Sequence, residues 1–345
     1  MNPIIQAAAP GLTLRKPYLL FIGEVDHPAL AKTAFGIRDW APEDCTGQWR
    51  LPGCVADLGL PEMRAAEAAA AGARSLLIGV APTGGRIPDH WLPVLLEAID
   101  AGLDLVAGLH TRLNHMPVLV EAAAQRGVRL VDVREPPAEL PVGTGIKRSG
   151  KRLLTVGSDC ALGKKYTALA LTRALRARGV DADFRATGQT GILIAGTGIP
   201  IDAVVSDFIA GAAESVSPDA APDHWDLIEG QGSIIHPAYA GVTLGLLHGS
   251  QPDALVLCHD PTRLAIGSSP QVKIPSLERL AQQYIEAAQL TNPAVRLVGA
   301  SLNTAALDDA ASKQAIEATA ALLGVPCFDP LRTSAKLVVD RILAI

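Results

Sequence analysis

The chain has 345 residues, of which 49% are hydrophobic and only 4% aromatic, and its formal net charge is −5. This length predicts about two domains with largely aliphatic cores, and the weak negative charge excludes nucleic-acid binding through overall charge. Five widely spaced cysteines without a C-x-x-C pair indicate neither a disulfide framework nor a zinc site. We therefore expect no metal.

No apolar run approaches the ~18 residues of a membrane-spanning helix. Residues 1–14 lack the basic and apolar regions of a signal peptide. The sequence therefore predicts a cytoplasmic protein with no membrane partner.

The first half of the chain alternates between apolar strands and helical stretches, although its polar segment 32–48 matches neither pattern. In chain order the strands and helices are expected at 18–23, 61–73, 76–80, 91–101, 103–108, 117–126 and 128–133. Continuous apolar strands alternating with helices are typical of a parallel sheet covered on both faces. The first half is therefore predicted to be a Rossmann-like, doubly wound α/β domain.

Ligands of such sheets bind beyond the carboxyl ends of the strands. Two polar loops are expected there, at 81–86 and at 109–115. Either loop could bind a ligand, or it could simply collect the polar residues and glycines that loops usually contain. Arg112, in the second loop, is a candidate for binding a substrate.

The Pro- and Gly-rich stretch 135–145 is typical of a domain boundary. It divides the chain into residues 1–145 and 146–345. A small basic cluster follows: Lys147, Arg148, Lys151 and Arg152. Such a cluster is usually a solvated surface; the alternative is that it neutralises an additional phosphate of an extended ligand.

The stretch from Leu153 to Thr167 joins an apolar strand, a turn containing glycine and lysine, and a helix rich in Ala and Leu. This order is that of a P-loop, whose backbone N–H groups cradle a phosphate while the lysine adds a positive charge. An ordinary strand-to-helix turn is the alternative. The predicted cofactor-binding residues are Gly157, Ser158, Asp159, Cys160, Ala161, Leu162, Gly163, Lys164 and Lys165.

The loop departs from a Walker A motif at two positions. Ser158 stands where the first glycine is expected, and Lys165 stands where a Ser or Thr normally holds Mg²⁺. Thr167 lies two residues further, about 200° around the helix, and does not easily replace that hydroxyl. The loop therefore favours metal-free binding of a phosphate-bearing cofactor over hydrolysis of a nucleoside triphosphate.

The second half alternates in the same way, which predicts a second α/β domain with a parallel sheet of the P-loop NTPase type. Its strands are expected at 182–186, 254–258, 295–299 and 326–328, with a further strand that ends at Glu229. Its helices are expected at 166–178, 274–290, 312–323 and 333–343.

Polar groups follow two of these strands. Glu229 at a strand end could act as a general base or hold a metal, and His236 in the next turn could exchange protons near neutral pH. Gln189 and Thr190, in the glycine-flanked turn 187–191, offer donors for a carboxylate or an oxyanion. The structural alternatives are a capping carboxylate, a hydrogen-bonded loop histidine and a simple turn.

Two families resemble this second half. Gly157–Asp159 followed by Gly163–Lys164 resembles the G-T-D-x-x-x-G-K-T loop of dethiobiotin synthetase-like P-loop proteins, whose E-G-A-G strand end is similar to Glu229–Gly232. Over nearly its whole length the chain more closely resembles the two-domain, P-loop-containing D-glutamate N-acetyltransferase family, formerly a domain of unknown function. The stretches that carry this resemblance are 186–191, 202–207, 229–236 and 241–254.

The second resemblance implies transfer of an acetyl group from acetyl-CoA to the amine of D-glutamate. It also implies a pathway of D-amino-acid catabolism with an N-acetylglutamate racemase as pathway partner. CoA carries a pyrophosphate and a 3′-phosphate, which Ser158–Lys165 could hold without Mg²⁺. We also expect a homo-oligomer.

The chemistry needs a base for the ammonium group and donors for the thioester oxyanion. Glu229 is the first candidate for the base and His236 the second, while Gln189 or backbone N–H groups could serve the oxyanion. The candidates for binding the substrate are Thr190 and four arginines that the sequence does not rank, Arg185, Arg112, Arg86 and Arg263.

Two rival hypotheses assign the protein to other functional classes. A Mg²⁺- and ATP-dependent kinase or ligase of the dethiobiotin synthetase type is suggested by the P-loop, but Lys165 argues against it. A non-catalytic nucleotide-binding protein is suggested by the degenerate loop alone, and any turnover that depends on Glu229 would exclude it.

Overall fold

The computed structural model describes residues 14–80 and 85–345, so residues 1–13 and most of the predicted loop 81–86 lie outside the described residues. Among the described residues the chain forms two compact units. The first contains residues up to Glu135, and the second begins at Pro136. Residues 192–200 group with the first unit.

The division thus falls earlier in the chain than the expected boundary at residue 145. The physical reason is the carboxylate of Glu214, which accepts hydrogen bonds from the backbone N–H groups of Thr144 at 2.9 Å and Gly145 at 3.1 Å. These bonds attach the stretch before the P-loop strand to the second unit.

The first unit contains a parallel sheet, as the sequence predicts, but with five strands instead of the four that were expected. The sheet has the order β2-β1-β3-β4-β5, and every neighbouring pair is parallel. The strands are β1 (Tyr18–Gly23), β2 (Cys45–Arg50), β3 (Ser75–Ile78), β4 (Asp104–Ala107) and β5 (Leu130–Asp132). The helices are α1 (Lys32–Trp40), α2 (Ala65–Ala70), α3 (Leu92–Asp100) and α4 (Pro117–Arg126).

The polar segment 32–48, which matched no pattern, forms α1 and most of β2. Its polarity is satisfied inside the fold: buried Gln48 donates to Asp57 at 2.9 Å and accepts from the N–H of Leu58 at 2.7 Å. Because a buried amide with partners replaces an aliphatic residue, β2 lacks the apolar run by which the other strands were recognised.

The second unit contains a parallel sheet of six strands in the order β13-β12-β9-β6-β8-β7. Its strands are β6 (Lys151–Gly157), β7 (Ala182–Arg185), β8 (Trp225–Ile228), β9 (Ala254–His259), β12 (Arg296–Leu302) and β13 (Cys327–Phe328). A separate hairpin is formed by β10 (Ala265–Ile266) and β11 (Ser269–Lys273). The P-loop strand β6 lies inside the sheet, between β8 and β9.

Helices connect the strands of the second unit. They are α5 (Lys164–Arg176), α6 (Gln189–Ala195), α7 (Ile209–Val216), α8 (Ala240–Ser250), α9 (Leu277–Gln289), α10 (Asp309–Leu323) and α11 (Lys336–Ile342). Residues 192–195 of α6 group with the first unit. The sequence did not predict α7 and α8, which pack closely through glycines: a Cβ on Gly249 would lie 2.1 Å from the carbonyl oxygen of Ala210. Within the described residues, no helix combines the length and apolarity needed to cross a membrane.

The core on one face of this sheet packs Leu153, Val256 and Leu227 against Leu171 of α5 and Val338 of α11. Because the strands are parallel, the residues that follow their carboxyl ends lie along one edge of the sheet, where such folds bind ligands. That edge carries the P-loop after β6 and Glu229 after β8.

Both interpretations of the basic cluster were wrong for its two arginines. Arg152 is 1% exposed, and its guanidinium donates to the carbonyl oxygens of Arg148, Ser149 and Pro218. Arg148 donates to the carbonyl oxygens of Ser217 and Gly249. Their donors stabilise the turn before β6, at the opposite end of the strand from the P-loop.

Candidate active site at the P-loop edge

The P-loop has the backbone of an anion-binding turn. β6 ends at Gly157 and α5 begins at Lys164, with left-handed residues between them at Ala161 (φ 55°) and Gly163 (φ 96°). Left-handed residues in such a turn direct successive backbone N–H groups toward one concave side. At the start of the 13-residue α5, the N–H groups add the partial positive charge of a helix N-terminus.

Lys164 is buried beneath this turn, with 7% of its surface exposed. Its Nζ donates to the main-chain oxygen of Asp159 at 2.8 Å. Burial lowers the pKa of Lys164, opposed by the neighbouring Cys160, Cys258, Asp159 and Glu229. An anion bound in the turn would stabilise the charged form of Lys164 and so offset the hydration that it loses on burial.

The side chains at the start of the loop face other protein groups. The Ser158 hydroxyl lies 2.8 Å from His259 Nδ1, and burial lowers the pKa of that histidine. The carbonyl oxygen of Gly157 accepts from the Tyr284 hydroxyl at 2.7 Å. The sequence alone gave no indication of Tyr284, which lies 127 residues away.

The Asp159 carboxylate is also bound within the protein. It accepts from the N–H groups of Cys160 at 2.6 Å and Gly267 at 2.8 Å, and from Arg263 at 2.8 Å. Burial raises its pKa, but these donors outweigh burial, so its pKa is lowered. Asp159 is therefore a charged carboxylate turned toward the hairpin of β10 and β11.

Glu229 lies directly after β8 and is 5% exposed. Its Oε2 accepts from the backbone N–H groups of Thr187 and Gly188, each at 3.0 Å. Burial raises the pKa of this carboxyl, while the nearby Lys165, the two N–H donors and Lys164 act in the opposite direction; the net shift is upward. Glu229 thus caps the backbone of the turn before α6, and a raised pKa is also what a general base near neutral pH requires.

His236 is 2% exposed and uses both ring nitrogens. Its Nδ1 accepts from the N–H of Ala238 at 3.1 Å, so the hydrogen-bond network assigns the proton of the neutral ring to Nε2. Nε2 lies 3.1 Å from the Ser268 hydroxyl. In this tautomer Nε2 of His236 donates to the Ser268 hydroxyl.

The predicted oxyanion and substrate residues lie at different places. Gln189 and Thr190 begin α6, in the turn that binds Glu229. Arg185 instead donates from Nε to Asp226 at 2.5 Å and lies 3.2 Å from Asp183, so carboxylates of the protein bind its guanidinium. Arg112, in the first unit, pairs with Glu135 at 3.1 Å.

Two clusters of potential metal ligands occur among the described residues. One is Asp159, Cys160 and His236, and the other is Asp183, His224 and Asp226; in each the ligand atoms lie within 4.8 Å of one another. In the first, Arg263 binds Asp159 at 2.8 Å. In the second, His224 contacts Asp226 at 3.1 Å and Arg185 binds the same carboxylate at 2.5 Å. A cationic or imidazole group of the protein thus already contacts a carboxylate in each cluster.

Comparison with known proteins gives close relatives over almost the whole chain. A protein of Tritonibacter scottomollicae named D-glutamate N-acetyltransferase is 48% identical over 332 residues, 96% of this chain and all of that protein. One of Pseudoalteromonas sp with the same name is 46% identical over 333 residues, 96% of this chain and 99% of that protein. The crystal structure of a DUF1611 family protein from Anabaena variabilis superposes with a TM-score of 0.84 at 34% identity and covers 96% of this chain and 100% of that one.

Two family models match the chain in succession. Residues 47–136 match the Rossmann-like domain DUF1611_N, and residues 141–339 match the P-loop domain DUF1611_C; each is described as a domain of unknown function. The predicted two-domain α/β architecture is therefore confirmed. With a Rossmann-like domain followed by a P-loop domain, the chain belongs to the DUF1611 family.

Proposed function

We propose that this protein transfers the acetyl group of acetyl-CoA to the amine of D-glutamate. The chain is an acyltransferase, as are the two relatives named D-glutamate N-acetyltransferase that align with 96% of it. The acetyl donor, its binding by the P-loop and the residue roles that follow are our inferences from the site.

The assignment of acetyl-CoA as the acetyl donor depends on one observation. This P-loop has a buried lysine, and it has a second lysine where other P-loops have the Ser or Thr that binds Mg²⁺. Lys164 is buried at the helix N-terminus, and the Nζ of Lys165, the next residue of α5, lies 5.1 Å from the centroid of the Tyr166 ring. A P-loop that cleaves a triphosphate instead needs a Ser or Thr there for Mg²⁺. The arrangement suits a pyrophosphate that is held without reacting, as in CoA.

Glu229 is our proposed base. The D-glutamate ammonium must lose a proton before its nitrogen can attack the thioester carbonyl, and the Glu229 carboxylate can accept it. Attack of the nitrogen makes the carbonyl oxygen negative, and donors beside Glu229 can stabilise it. The C–S bond then breaks, and CoA leaves as the thiol after taking up the second proton that the nitrogen releases. We assign this role to the amide of Gln189 or to backbone N–H groups of its turn; Thr190, in the same turn, contacts the substrate.

Glu229 lies close to the P-loop, which restricts the conformation that bound acetyl-CoA can adopt. A Cβ on Gly230 would lie 3.1 Å from Cδ of Lys164, so Glu229 and the lysine are near neighbours. The pantetheine arm places the thioester many bonds beyond the pyrophosphate. The arm must therefore turn back toward the P-loop for the acetyl group to meet an amine at Glu229.

The test is release of free CoA thiol when acetyl-CoA is mixed with D-glutamate or with L-glutamate. We expect release with D-glutamate, together with one equivalent of N-acetylglutamate detected by mass spectrometry. Absence of thiol release above background with either enantiomer would refute the proposal. Formation of ADP from ATP and Mg²⁺ under the same conditions would favour the kinase or ligase hypothesis.

A further inference from the structure

The hairpin of β10 and β11 contacts the P-loop through its turn. The two strands pair antiparallel with each other in a sheet of their own. Gly267 in the turn donates its N–H to Asp159 Oδ2 at 2.8 Å, and the Ser268 hydroxyl lies 3.1 Å from His236 Nε2. The turn therefore connects the P-loop with the loop that follows β8.

Arg263, just before the hairpin, binds the same carboxylate. Its Nη1 donates to Asp159 Oδ2 at 2.8 Å and to the main-chain oxygen of Cys160 at 2.9 Å. The Asp159 side chain is 3% exposed and that of Arg263 is 28% exposed. An unpaired carboxylate in a phosphate-binding loop would repel the phosphate, so this guanidinium removes a charge conflict from the site.

Asp159 also connects this contact with the P-loop lysine. Its main-chain oxygen accepts from Lys164 Nζ at 2.8 Å, while its side chain accepts from the neighbouring Cys160 N–H at 2.6 Å. A shift of Asp159 would therefore move both the loop backbone and the carbonyl group to which the lysine is bound. The contacts form a chain from Arg263 through Asp159 to Lys164.

We infer that Arg263 is a positioning residue of the phosphate site. Together with Gly267 it holds Asp159, and through Asp159 it holds the P-loop backbone and Lys164 in the conformation that receives the pyrophosphate of the donor. This inference rests on the proposed function, because it takes the P-loop ligand to be the phosphates of acetyl-CoA. Arg263 acts through Asp159 and contacts no reacting atom.

The test compares two donors in Arg263→Gln and in the wild type. Acetyl-pantetheine carries the same thioester as acetyl-CoA but lacks the pyrophosphate and the 3′-phosphate. We expect the ratio of kcat/KM for acetyl-CoA to that for acetyl-pantetheine to fall about tenfold in Arg263→Gln, as for the loss of one charge-assisted contact. The ratio should recover at least partly in Arg263→Lys, and the KM for D-glutamate should not change.

Arg178→Gln is the matched control. It breaks another Arg–Asp ion pair of the same unit, between Arg178 and Asp340, beyond the far end of α5. We expect the donor ratio to stay at the wild-type value in this variant. An equal change of the ratio in Arg178→Gln and Arg263→Gln would overturn the inference, because any loss of an ion pair would then have the same effect.

An equal loss with both donors in Arg263→Gln would also overturn the inference. If this variant does not fold, Arg263→Met, which keeps the length of the side chain and removes its charge and its donors, is measured in the same way with the same opposing outcomes. A wild-type protein that prefers neither donor would refute the phosphate site itself, and with it the inference. The two failures are thus distinguished by the wild-type ratio.

Discussion

Glu229 and Gly191 fit each other so closely that no other residue can replace the glycine without moving the carboxylate. A Cβ built on Gly191 would lie 2.2 Å from Glu229 Oε2, the oxygen that accepts the N–H groups of Thr187 and Gly188. Gly188 meets the same side chain, since its Cβ would lie 3.3 Å from Oε1. The turn before α6 is therefore shaped around this carboxylate.

Gly191→Ala is accordingly expected to impair catalysis. The added methyl group must displace Glu229, and a misplacement of about 1 Å can reduce kcat about 10²-fold. The measurement is kcat with D-glutamate and saturating acetyl-CoA. A variant that keeps the wild-type kcat would show that the position of Glu229 does not matter for the reaction.

Gly241→Ala is the control for this substitution. Gly241 also lies in a helix, α8, but nothing approaches the position of its Cβ within 4 Å. Since alanine favours a helix over glycine by about 0.5–1 kcal/mol, the variant should be slightly more stable than the wild type and equally active. Denaturant unfolding and kcat check both expectations.

Replacing the proposed base should lower the rate and change its pH dependence. Glu229→Gln removes the proton acceptor, so we expect kcat to fall by about 10²–10⁴-fold. Because burial raises the pKa of Glu229, the wild-type rate should rise with pH through a value above the ordinary glutamate range of about 4.3. That limb of the pH–rate profile should be absent in the variant; its persistence would assign it to another group.

His224 should make folding stability depend on pH. Burial lowers its pKa, but hydrogen bonds to Asp181 at 2.8 Å and Asp226 at 3.1 Å outweigh burial, so the folded-state pKa is raised. The stabilisation is thus fully present below the unfolded-state pKa of about 6.5 and is lost as the pH rises through the folded-state pKa.

The measurement is the free energy of unfolding of the wild type minus that of His224→Gln between mildly acidic and mildly alkaline pH. We expect this difference to be largest at the acidic end and to decline as the pH rises. A difference that grows with pH would mean that the folded protein prefers the neutral imidazole.

The helices and strands that have a clear apolar pattern were predicted from the sequence. Those that depend on glycines or on buried polar residues were missed. Helix α4 was predicted at its observed bounds, 117–126, because its hydrophobic positions recur and Gly127 ends it with φ 69°. Helices α7 and α8 were missed because their contact depends on small residues such as Gly249. Local spacing carries no information about such close packing.

The candidate site was predictable where its residues are neighbours in the chain. The P-loop and the strand end at Glu229 were recognised, but the direction of each side chain was not. Arg185 was expected to bind a substrate, yet Asp226, 41 residues away, binds its guanidinium. Arg263 was likewise a candidate for binding the substrate, yet it binds Asp159, 104 residues away, and no spacing rule links a hairpin to a P-loop.

The proposed reaction requires the P-loop to bind the phosphates of CoA without a metal ion. This binding can be measured by calorimetric titration of the wild type and of Lys164→Ala with CoA in excess EDTA. We expect CoA to bind to the wild type and to bind at least tenfold more weakly to the variant, since a charge-assisted contact with the pyrophosphate is lost. Equal affinity in the two proteins, or binding only when Mg²⁺ is restored, would contradict the proposed binding.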